Sequence, residues 1–230
     1  DTTNFKINDS GYFENNTLLS TDVYFVNITT NDTYNNPTSI TFQLTVTDGS
    51  VPTFDEIPSN VTLEFNSASL SVDINATDNS IDLYTVNDTT LFNISQDGIL
   101  TNKTTLSVGT WYANVTVNDT SDNRVSLTFS TVVSDTTVPA FTQIPSNVSL
   151  TYFVDSLAVD INATDASGVS NWTINDSTNF KINDSGYLQN NSALSVGDII
   201  VNVSVNDTYN NVKSLLFKVT NSDNLAPSWQ

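Results

Sequence analysis

Residues 178–187 read TNFKINDSGY, and residues 3–12 read TNFKINDSGY as well. Ten identical residues at two places mean that a stretch of chain has been duplicated, and a duplicated stretch is a unit of an array. Within the phrase, Phe180-Lys181-Ile182 is a short strand, because Phe and Ile favour a pleated, half-buried surface. Asp184-Ser185-Gly186 is the turn that follows it. The turn recurs at Asp9-Ser10-Gly11 and, varied, at Gln96-Asp97-Gly98, so a third, looser copy lies between the identical two. The period comes from Pro52-Thr53-Phe54, Pro139-Ala140-Phe141 and Pro227-Ser228-Trp229, whose prolines are 87 and 88 residues apart.

That period divides the chain. Residues 50–135 and 137–223 are complete repeats, residues 1–48 match the C-terminal half of a repeat, and residues 224–230 match only the opening of the next. Leu157, Val159, Ile161 and Ala163 alternate with Asp160, Asn162 and Thr164, the period of two that marks a half-buried strand. Leu70, Val72, Ile74 and Ala76 do the same in the first repeat. Further extended segments are expected at 139–145, Asn147–Phe153, Val169–Ile174, Ile199–Val205 and Lys213–Thr220. About seven short strands per repeat, with close turns and no 3.6-residue period, predict an all-β fold of tandem antiparallel β-sandwiches. Phe54, Tyr84, Phe92, Tyr112 and Phe129, with Phe141, Trp172, Phe180 and Phe217, are expected in the cores.

Composition removes several functions. With 25 acidic and 6 basic residues the net charge is −19, so nothing neutralises phosphates and nucleic acid is excluded as a partner. Acidity suits cations and keeps a dense array soluble. There is no Cys, His or Met, which removes thiol nucleophiles, imidazole bases and the usual zinc sites. No Gly-x-Ser-x-Gly, P-loop or Gly-x-Gly-x-x-Gly occurs, and the acidic residues recur with the repeat instead of forming one constellation, so no enzyme is expected. No apolar run approaches the roughly 18 residues of a membrane span. No leader is visible, and since the chain opens in mid-repeat one could lie upstream.

The strongest chemical signal is Asn-x-Ser/Thr with x other than proline. It occurs at Asn8, Asn15, Asn27, Asn31, Asn60, Asn75, Asn87, Asn93, Asn102, Asn114, Asn118, Asn147, Asn162, Asn171, Asn175, Asn183, Asn190, Asn202 and Asn206. That is about twice the number expected from the Asn, Ser and Thr content alone. The positions recur between repeats: Asn60 with Asn147, Asn87 with Asn175, Asn102 with Asn190 and Asn15. Asn114 and Asn118 lie on the strand face opposite Val115 and Val117, where a glycan would not disturb a core. Extensive N-glycosylation is one reading and implies export. Seven of the sites are Asn-Asp-Ser/Thr, and Asx turns on a polar sheet face are the other reading.

The ordered pattern resembles cadherin repeats and the related cadherin-like and Ig-like repeats of microbial surface proteins. The matching residues are Ile161-Asn162-Ala163-Thr164-Asp165, Phe180 through Gly186 to Leu188, Val203-Ser204-Val205-Asn206-Asp207 and the Pro227 linker. Asp78, Phe92, Gly98, Leu100, Val115, Asp119 and Pro139 stand at those places in the first repeat. The frequent Asn-Asp-Thr and Ala-Thr-Asp are similar to large archaeal surface proteins. The family's Leu-Asp-Arg-Glu is replaced by Leu106-Ser107-Val108-Gly109 and Leu194-Ser195-Val196-Gly197. Its acidic linker is reduced to Ser134-Asp135-Thr136 and Ser222-Asp223-Asn224, and the second Asp of its Asp-x-Asp pair is Ser80 or Ser167. Asp78, Asp119, Asp165 and Asp207 sit at strand ends toward one pole, with Asp135 and Asp223 in linkers, and are candidate calcium ligands or else turn-capping carboxylates.

These observations predict an extracellular, N-glycosylated structural protein: a stalk, filament or surface-layer element needing no cofactor beyond possible calcium. The alternative is a calcium-dependent adhesin with a protein or glycan ligand at the poles between repeats. Its expected partners are neighbouring repeats of the same or an identical chain. Residues 1–48 would be completed by upstream chain or by strands from a neighbouring subunit.

Overall fold

The structure, a computed structural model, describes residues 1–67 and 69–227. It is all-β. The N-terminal segment holds β1 (Phe5–Ile7), β2 (Phe13–Asn15), β3 (Asp22–Asn31) and β4 (Pro37–Val46). The first complete repeat holds β5 (Thr53–Phe54), β6 (Val61–Glu64), β7 (Ser71–Asp73), β8 (Ala76–Thr77), β9 (Ile81–Val86), β10 (Phe92–Ile94), β11 (Ile99–Asn102), β12 (Gly109–Asp119) and β13 (Arg124–Ser134). The second repeats that order as β14 (Ala140–Gln143), β15 (Val148–Thr151), β16 (Ala158–Asp160), β17 (Asn162–Thr164), β18 (Val169–Ile174), β19 (Phe180–Ile182), β20 (Tyr187–Asn190), β21 (Gly197–Asp207) and β22 (Val212–Ser222).

Each complete repeat is a sandwich. A four-stranded sheet, β6-β13-β12-β9 or β15-β22-β21-β18, faces a three-stranded one, β10-β11-β7 or β16-β20-β19, and a short pair closes one side, β5-β8 or β14-β17. Pairing is antiparallel except where β13 meets β6 and β22 meets β15. Alternation decides which side faces in. Along β12, Ala113, Val115 and Val117 are buried while Asn114, Thr116 and Asn118 face outward. Two separate cores result, one around Leu70, Ile74, Phe92, Leu100 and Phe129, the other around Leu157, Ile161, Phe180, Leu188 and Phe217.

Three details differ from expectation. Nine strands form where about seven were expected: one expected segment is broken in two, and β20 forms after the Asp184-Ser185-Gly186 turn where no strand was expected. The broken segment is the alternating stretch 157–164: β16 pairs with β20, and after the buried Ile161 the chain crosses sheets so that β17 pairs with β14. The strand expected to run to Phe153 stops at Thr151, because Phe153 takes a left-handed φ of 58° in a turn. Tyr112, expected in the core, is exposed, since parity on β12 puts it on the face of Asn114 and not of Ala113. Ser228 and Trp229 of the third Pro-x-aromatic motif lie outside the described residues.

The N-terminal segment forms two hairpins, β1-β2 and β3-β4. By the repeat, Phe5, Phe13, Ile28 and Phe42 stand where Phe92, Leu100, Val115 and Phe129 stand in the first core. Their rings cluster: Phe5 stacks on Phe13 at 5.1 Å and meets Tyr24 edge-on, while Phe13 meets Phe42 at 5.4 Å. Phe42 is nevertheless 37% exposed where Phe129 is 2%. Phe5 and Val26 are buried within the two hairpins (6% and 7% exposed), but among the described residues nothing covers Phe42 as the first core covers Phe129.

Candidate functional site

The turn after β12 is built by one carboxylate. Asp119 Oδ1 accepts the N–H of Ser121 (2.8 Å) and of Asn123 (2.9 Å), and Oδ2 accepts from Asn123 Nδ2 at 2.7 Å. Asp122 can take its left-handed φ of 66° because its short polar side chain tolerates that conformation. The amide of Asn123 has a second hydrogen, and it goes to the carbonyl of Asp48 at 3.1 Å, in the preceding linker. The arrangement recurs 88 residues on. Asp207 accepts from Tyr209 N (2.8 Å), Asn211 N (2.9 Å) and Asn211 Nδ2 (2.8 Å), and Asn211 Nδ2 also donates to the Asp135 carbonyl at 3.0 Å. Asp32 and Asn36 make the same turn in the N-terminal segment. In both complete repeats one asparagine thus fastens the preceding linker to the pole of the repeat.

Carboxylates gather at the same poles. Oxygens of Asp48, Asp78 and Asp119 lie within 4.8 Å of one another, as do those of Asp135, Asp165 and Asp207. Asp119 and Asp207 are fully buried, Asp135 is 8% exposed, and Asp48, Asp78 and Asp165 are half-buried. None of the three ion pairs among the described residues, Lys6–Glu14, Arg124–Asp122 and Lys218–Asp198, includes one of these six carboxylates. Burial works to raise the pKa of Asp119. The bonds from the Asn123 side chain, Asn123 N–H and Ser121 N–H outweigh it and hold the carboxyl below its ordinary range. In Asp207 burial is likewise outweighed, by the Asn211 side chain and N–H and then Tyr209 N–H. Both are therefore charged at neutral pH. Asp165 Oδ1 accepts from Ser167 N and Oγ, at 2.8 Å each. Asp135 Oδ1 accepts from Thr137 N at 3.2 Å, while its buried Oδ2 has no partner. An orphaned buried carboxylate oxygen beside two further carboxylates fits a hard divalent cation, whose preferred ligands are oxygens. Asp135, Asp165 and Asp207 would hold it, and the equivalent set is Asp48, Asp78 and Asp119.

All four candidate calcium ligands named from sequence thus fall into these two groups, along with the linker Asp135. Asp223, the other linker candidate, is in neither; its Oδ1 accepts from Leu225 N. Asp48 was missed. Its signal was available, because Asp48, Asp135 and Asp223 follow the 87- and 88-residue period of the prolines. The joint between the complete repeats has a further carboxylate that sequence reasoning did not single out. Glu64, at the end of β6, accepts from Thr136 N, Thr137 N and both threonine hydroxyls at 2.7–3.0 Å. The Thr136 N–H is the largest influence on it, followed by the Thr137 hydroxyl, and they pull its pKa down to about 2.

The sequon asparagines divide by environment. Asn8, Asn15, Asn27, Asn31, Asn60, Asn75, Asn87, Asn93, Asn147, Asn171, Asn175 and Asn183 are exposed. Asn102, Asn114, Asn118, Asn162, Asn190, Asn202 and Asn206 are half-buried. Asn114 Nδ2 bonds Thr128 Oγ1 across the sheet, and Asn202 Oδ1 is buried without a partner. Asn8 and Asn183 each accept two N–H groups in an Asx turn.

No protein-family profile matches the chain, and no curated protein matches it. Solved cadherin ectodomains are similar. Drosophila N-cadherin EC1-4 superposes with a TM-score of 0.41 at 17% identity, over 97% of this chain and 64% of that one. The human desmocollin-1 ectodomain gives 0.39 at 17%, over 98% and 53%. Human protocadherin-24 EC1-2 gives 0.38 at 14%, over 77% and 100%. The chain thus spans about two thirds and half the length of the first two. Likeness at this level assigns neither a ligand nor a function to this chain. No helix of the described residues is long and apolar enough to cross a membrane.

Proposed function

We propose that this chain is a structural, extracellular, N-glycosylated repeat array, in which sandwiches at 50–135 and 137–223 are spaced end to end and calcium stiffens the joints. Residues 1–48 and 224–230 belong to flanking repeats of the same or an identical chain. Its work is to space and to bear load in a stalk, filament or surface layer. One observation carries this reading: the same joint is built twice, a linker carbonyl held by Asn123 or Asn211 beside three carboxylates. Repetition of the joint with the repeat is what a load-bearing array needs, whereas a catalytic centre needs one distinct constellation.

Three carboxylates within 4.8 Å repel one another, and a cation between linker and pole removes that repulsion while locking their relative position. The test is thermal melting in calcium and in chelator. A ligand at 100 times its Kd adds about 2.7 kcal/mol to the stability of the state that binds it. Calcium is expected to raise the melting temperature of the native chain and to do so much less for Asp135→Asn. A native chain whose melting ignores calcium sinks the calcium-stiffened joint.

A further inference from the structure

The sequons differ in what their amide already does, and the difference follows sheet position. Asn60 and Asn147 immediately precede β6 and β15, edge strands of the four-stranded sheets. Their Oδ1 atoms accept Ser130 N–H (3.4 Å) and Lys218 N–H (3.0 Å), extending the parallel ladder by one rung. Asn87 and Asn175 immediately follow β9 and β18, the opposite edges. Their Oδ1 atoms accept Asn114 N–H and Asn202 N–H, both at 2.9 Å. In all four the carbonyl is spent on the sheet. Nδ2 makes no hydrogen bond in Asn60, Asn87 and Asn147 among the described residues, and in Asn175 only one of 3.4 Å, to Ile200 O.

Asn102 and Asn190 are sequons of the opposite kind. Asn102 Oδ1 accepts from Leu70 N at 2.7 Å, and its Nδ2 donates to Thr104 O at 2.8 Å. Asn190 does the same with Leu157 N and Ser192 O, at 2.9 Å each. Leu70 and Leu157 are core residues, so these amides latch the end of β11 or β20 to the start of β7 or β16. Both amide ends are engaged.

We propose that Asn60, Asn87, Asn147 and Asn175 carry N-glycans, and that Asn102 and Asn190 stay bare as latches. This rests on the extracellular reading above and refines it. The donor is a lipid-linked phosphosugar. A membrane transferase breaks the bond from the sugar's anomeric carbon to the phosphate oxygen and forms a bond from that carbon to Asn Nδ2. One amide proton leaves Nδ2, the lipid phosphate departs with the bonding electron pair, and nothing is oxidised or reduced. The acceptor keeps its Oδ1, so the rung to the neighbouring strand survives. Two glycans per four-stranded sheet, one at each edge, would cover the unpaired backbone through which arrayed sandwiches could join edge to edge.

The test is non-tryptic glycopeptide mass spectrometry of the chain isolated from a cell that attaches N-glycans. Occupancy at the four edge asparagines with none at Asn102 and Asn190 is the expected result. Glycan on Asn102 or Asn190, or bare edges beside occupied central-strand sites such as Asn114, overturns this assignment while leaving the extracellular reading standing. A chain with no glycan at any site overturns both. A second measurement needs no glycan: in unglycosylated protein, Asn102→Gln and Asn190→Gln each lower the melting temperature by roughly 5 °C. Melting that both variants leave unchanged removes the latch.

Discussion

The three glycine turns of the repeated phrase compare one residue in three settings. Gly11, Gly98 and Gly186 have φ of 78°, 78° and 80°, a left-handed conformation that costs any residue with a Cβ on the order of 1–2 kcal/mol. They differ in what a Cβ would meet. At Gly98 it would lie 2.6 Å from the Ile74 carbonyl oxygen, at Gly186 it would press on that of Ile161, and at Gly11 nothing described lies within 4 Å. Alanine is therefore expected to be tolerated at 11 with only the conformational cost, and to cost distinctly more at 98 and 186. Melting of the three single variants checks this, and equal losses would remove the close approach as the cause. The repeated phrase revealed the glycine but not its purpose, since the carbonyl that crowds Gly186 belongs to a segment some 25 residues earlier. Asp48 escaped notice for the same reason: its neighbours Asp78 and Asp119 come from other parts of the chain, and only the period ties it to Asp135. Tyr112 was misjudged because an aromatic suggests a core, whereas parity with Asn114 decides its side.

At the scale of elements, period two located the strands but not where they change partners. Ile161 continues the alternation without interruption while the hydrogen bonds pass from β20 to β14. Apolar pattern records which face is buried, and sheet membership is a tertiary choice. The end of β6 shows what such choices achieve. Glu64 binds the linker through Thr136 and Thr137, and its counterpart in the second repeat is Thr151, which cannot brace the following linker in this way. With a folded pKa of about 2 against an ordinary value of 4.5, Glu64 favours the folded state fully above the ordinary value. That contribution fades as pH falls from about 4.5 toward 2. Glu64→Gln is expected to melt below the native chain at neutral pH and to converge with it near pH 2. Curves that stay parallel across that range would mean the carboxylate charge does not brace the joint.

For the whole molecule, the decisive contrast is between two cores buried throughout and an aromatic cluster in which Phe5 is buried but Phe42 is 37% exposed. Phe5, Phe13, Ile28 and Phe42 hold the places of Phe92, Leu100, Val115 and Phe129, so the N-terminal segment has the sequence of a core. Among the described residues nothing stands to it as β5 through β9, which supply the opposing Leu70, Val72, Ile74 and Tyr84, stand to the first core. Asn36 is in the same condition: it closes the turn at Asp32 as Asn123 and Asn211 close theirs, but its bond to a linker carbonyl has no described counterpart. Face and socket call for the same thing, a chain segment carrying the first half of a repeat and an acidic linker. The period says how to provide it, because Asp1 aligns with Asp88. A fusion placing residues 48–87 directly ahead of Asp1 supplies both the linker and the missing strands. Amide exchange at Val26 and Phe42 is expected to slow toward that of Ala113 and Phe129, and the melting temperature of this segment to rise. The fit is not perfect, since Phe13 replaces Leu100 and Val26 replaces Ala113, and such overpacking costs typically 1–3 kcal/mol. The same fusion with Phe13→Leu and Val26→Ala relieves it, so protection should rise again. Exchange that remains fast in both fusions would mean that residues 1–48 do not form half of such a sandwich.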